Sequence, residues 1–342
     1  MMPFPGARRA TVAQAVLTRA SESMRTRLWL FGVALLLAAA ALGIWKSTRR
    51  TPEEVRIAYP PIVPSLPLFV AREQHLFEKQ NLKVEMLTLS SSNDLVNALV
   101  AGQADVLPAV SLIPIVHLEI QHSGKVRVFS HSRMNENNAL DKIIVKDNSD
   151  LRTLPDLQGK RMGVFPGTAP QKMLVTFLKK HGIQAETISF VQLAPQAQLS
   201  SLESGAVDAL YSYEPVTTTA LVHGGYRVLF GSVYADLLNP CPIGVSVIAR
   251  DFERLKPEVA RRSVAALQAG ITQMQANPKL ARSLLPGFTK LPPEIAERVN
   301  ISEVTLQNQV DVANLQAFID LLYTSGEIPQ TIDAHRLVDP TR

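Results

Sequence analysis

Polar and small residues recur just after the predicted strands of this 342-residue sequence, where helices are predicted to begin. Serine and asparagine at such positions cap helices. The first turn of a helix also leaves free N–H groups and a partial positive charge, which suit an anionic or polar ligand. The sequence therefore predicts a binding site built from helix starts. The candidate ligand-binding residues are Tyr59, Ser65, Leu66, Ser91, Ser92, Asn93, Val110, Ser111, Gly167, Thr168, Ala169, Gln196, Tyr213 and Glu214.

Each candidate also has a purely structural interpretation. Ser91, Ser92, Asn93 and Thr168 could do no more than cap helices, although capping does not exclude contact with a ligand. Glu214 could be a first-turn carboxylate that stabilises the helix dipole. If it faces the ligand instead, it would accept a hydrogen bond from an amino or ring N–H donor. It would then repel a sulfonate or nitrate unless a cation lay between them.

Residues for covalent or metal chemistry are sparse. Cys241 is the only cysteine, so the chain cannot form an internal disulfide or a cysteine-based metal site. No histidine or aspartate pattern accompanies this thiol as it would a nucleophile. His117, His122 and His131 show no metal-ligand spacing with carboxylates. We therefore expect no catalytic residues, no metal and no cofactor, and turnover of a bound solute would revive the hypothesis of an enzyme.

One short pattern occurs twice, about a hundred residues apart. Residues 99–107 and 202–210 share the spacing Leu-x2-Gly-x2-Asp-x-Leu, in which an apolar helix pattern ends at a glycine and a short strand follows the aspartate. Upstream, residues 56–60 and 160–166 are both strand-like and both end in an aromatic residue followed by proline. The sequence therefore predicts two similar βαβαβ halves, whose facing strand ends and helix starts enclose a cleft.

The chain divides into six predicted parts. They are a basic cytoplasmic region 1–27, an apolar segment 28–45, a linker 46–54, the first part of lobe 1 at 55–142, lobe 2 at 143–243, and the completion of lobe 1 with C-terminal helices at 244–342. Strands at 143–146 and 244–249 are predicted to cross between the lobes. The polar stretch 131–140 predicts a loop, and the chain from residue 256 onwards predicts helices broken by prolines.

The apolar segment 28–45 predicts a targeting element. It carries no charge over 18 residues and as a helix would span about 27 Å, close to the thickness of a bilayer core. Five arginines precede it, which predicts a cytoplasmic N-terminus and an extracytoplasmic remainder. It is either a cleaved signal peptide or a single-pass anchor in the inner membrane, and Trp29 and Trp45 at its ends favour the anchor.

The net charge of +5 arises from this leader. Residues 1–50 hold eight lysines and arginines and one acidic residue, so the remainder has a formal charge of −2. A slightly acidic globular part lacks the electrostatic footprint of a nucleic-acid-binding protein.

Five stretches, taken in order, carry a family resemblance. They are residues 67–77, 101–106, 156–164, 213–215 and 224–226. With them, residues 55 to about 325 resemble the solute-binding proteins of ABC importers, in the NMT1/THI5-like branch of aliphatic sulfonate, taurine, nitrate and thiamine-pyrimidine binders. The resemblance implies a type II periplasmic-binding-protein fold, an α/β fold with two lobes, two hinge strands and a ligand between them. Enzymes of thiamine-pyrimidine synthesis in this family carry a Cys/His-rich iron motif, which this sequence lacks.

The predicted function is the binding component of an ABC importer, acting on the periplasmic side of the inner membrane with permease and ATPase subunits. Glu214 and the tyrosines favour a thiamine-pyrimidine-like solute, whereas the serine-rich helix starts favour a sulfonate, taurine or nitrate. The alternative is a membrane-tethered sensor or interaction module that uses the same fold, which a retained anchor would support.

Overall fold

The computed structural model of the protein describes residues 51–338, except for the side chains of Thr168 and Ala169. These residues form two β-sheets with helices packed against them. The strands are β1 (Glu53–Tyr59), β2 (Leu82–Thr88), β3 (Val106–Val110), β4 (Val126–Met134), β5 (Asp141–Lys146), β6 (Arg161–Val164), β7 (Ser189–Gln192), β8 (Ala209–Tyr213), β9 (Tyr226–Phe230), β10 (Cys241–Ala249) and β11 (Glu303–Val304). The α-helices are Leu66–Glu73, Leu76–Lys79, Ser92–Val100, Leu112–Gln121, Thr168–Lys180, Pro195–Glu203, Val216–His223, Val233–Leu237, Arg250–Leu255, Pro257–Ala276, Pro278–Thr289, Pro293–Ala296, Val312–Thr324 and His335–Val338.

The first sheet has the strand order β11-β4-β10-β3-β1-β2. β1 runs parallel to β2 and β3, and β10 runs antiparallel to β3 and β4. All five residues of β3 are buried, as expected for a central strand covered on both faces. We call this sheet and its packed helices the first lobe.

The second sheet repeats this plan with the order β7-β6-β8-β5-β9. β6 runs parallel to β7 and β8, and β5 runs antiparallel to β8 and β9. We call this sheet and its helices the second lobe. In the first sheet the antiparallel strand beside the parallel set is β10, which follows the second lobe in sequence, whereas in the second sheet it is β5, which directly precedes the parallel set.

The chain passes between the lobes twice. The first passage, residues 135–140, joins β4 to β5, and the second passage, residues 231–240, joins β9 to β10. The predicted crossing strands are real, but they begin at Asp141 and Cys241 and lie wholly within the sheets. The connections themselves are the short segments that precede them.

The helix Pro257–Ala276 packs on the first lobe, as expected from the sequence. Its contact with the helix Leu66–Glu73 requires a residue without a side chain, because a Cβ at Gly270 would lie 2.3 Å from the carbonyl oxygen of Pro67. This approach ties the C-terminal part of the chain to the N-terminal part.

Two predictions of local structure are wrong. Residues 131–134 belong to β4 and not to a loop, because their polar side chains are taken into the interior, where Thr305 donates and accepts hydrogen bonds with His131. The chain after residue 256 is not entirely helical, since β11 pairs with β4 at the edge of the first sheet.

The predicted targeting segment 28–45, the basic region before it and most of the linker 46–54 lie outside the described residues. Within residues 51–338, no helix combines the length and the apolar character that a membrane span requires.

Candidate functional site

A cavity of about 120 Å³ lies between the lobes, where β1, β3, β6 and β8 reach their carboxyl ends. This is the position at which open α/β sheets place ligands. The first lobe lines it with Pro60, Ile62, Pro64, Ser90, Ser92, Asn93, Ala109, Val110, Ser111, Ser132, Met134, Ile243 and Gly244. The second lobe and the two passages line it with Leu140, Phe165, Pro166, Gly167, Pro170, Tyr213, Glu214 and Tyr234.

The first lobe directs two helix starts at this cavity. The helix Ser92–Val100 is capped by Ser91, whose hydroxyl oxygen accepts a hydrogen bond from the N–H of Asp94 at 3.2 Å. Ser111 caps the helix Leu112–Gln121, and its own N–H donates to Ser92 Oγ at 3.2 Å. Both helix starts bring backbone N–H groups and a partial positive charge to the same end of the cavity.

Three polar side chains of the lining, those of Ser90, Asn93 and Ser132, have no partner among the described residues. Neither the amide of Asn93 nor the hydroxyl of Ser132 forms a hydrogen bond there, although Ser132 is only 7% exposed. All three groups line the cavity, where they can form hydrogen bonds with water or with a ligand. The vacant hydrogen-bonding capacity of Asn93 and Ser132 is therefore available to a ligand.

The second lobe presents a wall of aromatic rings. Tyr213 packs edge-on against Phe165 with centroids 5.9 Å apart, and its centroid lies 6.2 Å from that of Tyr234. The hydroxyl of Tyr213 donates to that of Tyr211 at 3.3 Å. Burial raises the pKa of all three tyrosines, so each phenol is neutral at ordinary pH.

Glu214 is the only charged residue in the described lining, but its carboxylate is already engaged. Its oxygens accept hydrogen bonds from Thr218 Oγ1 at 2.8 Å and from the Thr218 N–H at 3.2 Å. Lys142 Nζ lies 3.9 Å from Glu214 Oε1. Burial raises the pKa of Glu214, and the Thr218 hydroxyl and Lys142 oppose that rise. The residue serves the start of the helix Val216–His223, as its structural interpretation predicted.

The lobes approach closely at one edge of the cavity. Gly167, with φ of +108°, donates its N–H to Gln192 Oε1 at 3.3 Å. A Cβ placed on Gly167 would lie 3.9 Å from Cβ of Ser91 in the opposite lobe. The cleft is therefore nearly shut beside this glycine.

The cavity brings together half of the fourteen predicted site residues. They are Ser92, Asn93, Val110, Ser111, Gly167, Tyr213 and Glu214. Thr168 and Ala169 open the helix that follows Gly167, and their side chains lie outside the description.

The other predicted residues have structural surroundings instead. Tyr59 packs edge-on against Phe69 and accepts a hydrogen bond from Thr88 Oγ1 at 3.0 Å. Ser65 is fully buried and donates to the carbonyl oxygen of Pro60. Leu66 is in the core, Ser91 is a helix cap, and Gln196 is exposed on the helix Pro195–Glu203.

The sequence interpretation missed most of the apolar lining and two serines, Ser90 and Ser132. The four prolines at positions 60, 64, 166 and 170 were not among the candidates, yet they line the cavity. Ser132 and Met134 were missed because they were assigned to a loop. The local sequence contains no signal for them, because β4 is buried almost throughout although its second half is polar.

Comparison with known proteins agrees with this arrangement. Over 327 residues, which are 91% of this chain and 96% of the relative, the chain is 24% identical to a putative aliphatic sulfonates-binding protein of Escherichia coli K12. Its fold is similar to that of the alkanesulfonate-binding protein SsuA from Xanthomonas axonopodis pv. citri bound to MOPS. The TM-score is 0.69 at 22% identity, with 84% of this chain and 99% of the other covered.

The same fold also occurs in an enzyme. The desulfurization enzyme DSZB matches with a TM-score of 0.62 at 15% identity, over 84% of this chain and 96% of that one. The fold alone therefore does not distinguish binding from catalysis.

The two sheets, the cavity between them and these structural matches define the α/β fold of periplasmic binding proteins. Residues 64–281 match the NMT1/THI5-like family model, and the chain belongs to that family. The sequence-based predictions of this family and of a solute-binding protein of the ABC-importer class are thereby confirmed.

Proposed function

We propose that the protein binds an organic anion of the sulfonate type, with an apolar body, and delivers it to the permease and ATPase of an ABC importer from the periplasmic side. The observation that carries this proposal is the polarity of the cavity. Unpartnered polar groups and helix starts lie at one end, and a wall of proline, aliphatic and aromatic side chains makes up most of the rest.

The polar end suits a head group with several acceptor oxygens. Asn93 and Ser132 can each donate a hydrogen bond, and the first turns of the helices Ser92–Val100 and Leu112–Gln121 add N–H groups. No lysine, arginine or histidine belongs to the described lining. The anion would therefore be held by dipoles and hydrogen bonds, as at other helix N-termini.

The apolar wall suits a ligand with a hydrocarbon or ring attached to that head group. Ile62, Met134, Phe165 and Ile243 contribute broad apolar surfaces from both lobes. A bare nitrate would leave this surface in contact with water, whereas a larger organic body would bury it. The proposal therefore favours organic sulfonates over nitrate.

A cationic or neutral pyrimidine is the weaker candidate. Its support was the carboxylate of Glu214, which would accept from an amino group. That carboxylate already accepts from Thr218 and lies near Lys142. Binding of a cation there would require it to exchange partners within a buried site.

The test is a calorimetric titration of the purified full-length protein with an alkanesulfonate series, MOPS, taurine, nitrate and a thiamine pyrimidine. We expect sulfonates with apolar bodies to bind most tightly. Ser132→Ala and Asn93→Ala should each weaken binding about tenfold, the value of one hydrogen bond to a charged group. Ser283→Ala is the matched control, because this exposed serine lies on the helix Pro278–Thr289 and is outside the lining. Tight binding of the pyrimidine alone would overturn the sulfonate proposal.

We further propose that binding occurs without turnover. The described lining contains hydroxyl groups but no histidine that could remove a proton from them. Incubation of the protein with a bound sulfonate should return the ligand unchanged by mass spectrometry, and release of sulfite would show that it is an enzyme. The membrane anchor remains a prediction from residues 28–45. A retained anchor would support the alternative function, that of a membrane-tethered sensor.

A further inference from the structure

A buried carboxylate outside the cavity connects the two passages between the lobes. Asp141 is the first residue of β5, directly after the first passage, and it is completely buried. It accepts hydrogen bonds from Ser232 Oγ at 2.6 Å, from the Val233 N–H at 2.8 Å and from the Tyr234 N–H at 3.3 Å. These three donors belong to the second passage. One side chain therefore joins the only two segments through which the described lobes are linked along the chain.

The same carboxylate reaches the cavity wall. Tyr211 donates its hydroxyl to Asp141 Oδ2 at 3.2 Å, and Tyr213, which lines the cavity, donates to Tyr211 at 3.3 Å. Tyr234, whose backbone N–H binds Asp141, also lines the cavity. Asp141 thus holds two of the cavity rings, one through a chain of hydroxyl groups and one through the backbone.

A buried carboxylate without a cation is unfavourable for the stability of a protein core. A carboxylate taken out of water without a cation loses several kcal/mol, and an apolar side chain of similar size usually packs there at lower cost. Burial raises the pKa of Asp141 to about 6 although four donors oppose the rise. A role in positioning, beyond simple stability, accounts for a charge at this point.

We propose that Asp141 is a positioning residue that couples occupation of the cavity to closure of the lobes. Any rotation of one lobe against the other changes the backbone of the two passages, because hinge motion is absorbed by such connecting segments. A ligand that orders Tyr213 and Tyr234 orders the donors of Asp141 as well, and so favours one geometry of both passages. This inference rests on the proposed function, since it requires that a solute enters the cavity.

Two single variants test separately the link from Asp141 to the tyrosines and its link to the second passage. Tyr211→Phe removes the link to Tyr213 and leaves the bonds to the second passage, whereas Ser232→Ala removes one bond to the passage and leaves the tyrosines linked. We expect Tyr211→Phe and Asp141→Asn to weaken binding of the best sulfonate about tenfold. Ser232→Ala should weaken it less than threefold. Small-angle scattering with saturating ligand should show less complete closure for Asp141→Asn than for the wild type.

A pH profile separates positioning from mere stabilisation. The wild-type affinity should fall as Asp141 gains a proton near pH 6, because a neutral carboxyl is a weaker acceptor for its four donors. In Asp141→Asn the affinity should not change over this interval. The ionisable groups that surround Asp141 or lie next to it are Tyr211, Tyr213, Tyr234, Cys241, Lys142 and Glu214.

Glu214 is the other carboxyl group that could titrate near the cavity, so Glu214→Gln is the control and should keep the wild-type profile. Burial raises the pKa of the tyrosines and of Cys241, so none of them changes charge near pH 6. Wild-type affinity and pH dependence in both Asp141→Asn and Tyr211→Phe would overturn the inference. A wild type that binds none of the solutes would instead overturn the proposed function.

Discussion

Each lobe contains an arginine–aspartate ion pair at the equivalent position, and the two pairs differ in the exposure of the aspartate. In the first lobe Asp105 accepts from the N–H of Arg56 at 2.9 Å and from its Nε at 3.1 Å. In the second lobe Asp208 accepts from the N–H of Arg161 at 2.9 Å and from its Nε at 3.1 Å. The side chain of Asp105 is 7% exposed and that of Asp208 is 30% exposed.

This comparison explains the repeated sequence pattern. The aspartate of each repeat lies directly before the last strand of its βαβαβ unit, β3 or β8, and fixes that strand beside the first strand of the unit, β1 or β6. The repeated sequence pattern therefore marks a duplicated structural ion pair, which we call the joint of each lobe. The residues that line the cavity lie outside this pattern. The two joints should differ in energy because water reaches one of them more easily than the other.

The largest expected effect tests this difference. Arg56→Ala leaves the buried carboxylate of Asp105 without its cation, and should lower the free energy of unfolding by about 3 kcal/mol. Arg161→Ala should lower it by a small fraction of that amount, because Asp208 is partly hydrated and its exposed partner contributes little. Denaturant unfolding of both variants measures the two losses. Equal losses would show that burial does not distinguish the joints.

A second comparison concerns two buried ionisable groups with opposite shifts. Burial raises the pKa of Asp141, in the second lobe, from near 3.8 to about 6. In the first lobe, burial and the charge of Arg133 lower the pKa of His131 from near 6.5 to about 4. Both shifts act over the same pH interval, with opposite consequences for stability.

The signs follow from proton binding in each state. Between pH 4 and 6 the folded protein keeps a proton on Asp141 that the unfolded chain releases, so this residue makes stability fall as the pH rises. Over nearly the same interval the unfolded chain holds a proton on His131 that the folded protein lacks, so this residue makes stability rise with pH. Each shift corresponds to about 3 kcal/mol across the interval.

The two contributions should nearly cancel in the wild type. Compared with it, Asp141→Asn should gain stability as the pH rises from 4 to 6, and His131→Asn should gain stability as the pH falls from 6.5 to 4. Unfolding free energies at several pH values measure both slopes. Slopes of the same sign in the two variants would contradict the assignment.

The smallest expected effect concerns corresponding helix starts. In the first lobe Ser91 caps the helix Ser92–Val100, whereas in the second lobe Ala194 precedes the helix Pro195–Glu203 without a side-chain cap. Ser91→Ala should cost about 1 kcal/mol, and Ala194→Ser should add somewhat less than that. Thermal unfolding measures both changes. A destabilising Ala194→Ser would show that the two helix starts are not equivalent.

The sequence was sufficient to predict the paired α/β lobes, because Gly102 and Gly205 end matching helices and Asp105 and Asp208 directly precede matching strands. It was also sufficient for half of the cavity residues, since helix starts at the ends of parallel strands converge by topology. It could not indicate Asp141, because an aspartate before an apolar run resembles any strand start. Its four donors come from residues 70–93 positions away.

The extent of β4 was equally hidden. His131 and Ser132 are polar, and polar residues predict a loop unless a buried partner is known. That partner is Thr305, which lies 174 positions from His131. Sequence patterns report local periodicity, whereas the burial of polar residues depends on distant parts of the chain.

The place of β10 in the first sheet has a consequence for biosynthesis. This strand lies between β3 and β4, but the ribosome makes it more than a hundred residues after them. Until β10 has been synthesised, β3 and β4 have unpaired edges and the first sheet lacks the strand that joins them. The second lobe is contiguous from Asp141 to Phe230 and can fold as soon as it is made. The nascent protein therefore completes its second lobe before its first. The unpaired edges of β3 and β4 need protection from aggregation until β10 pairs with them.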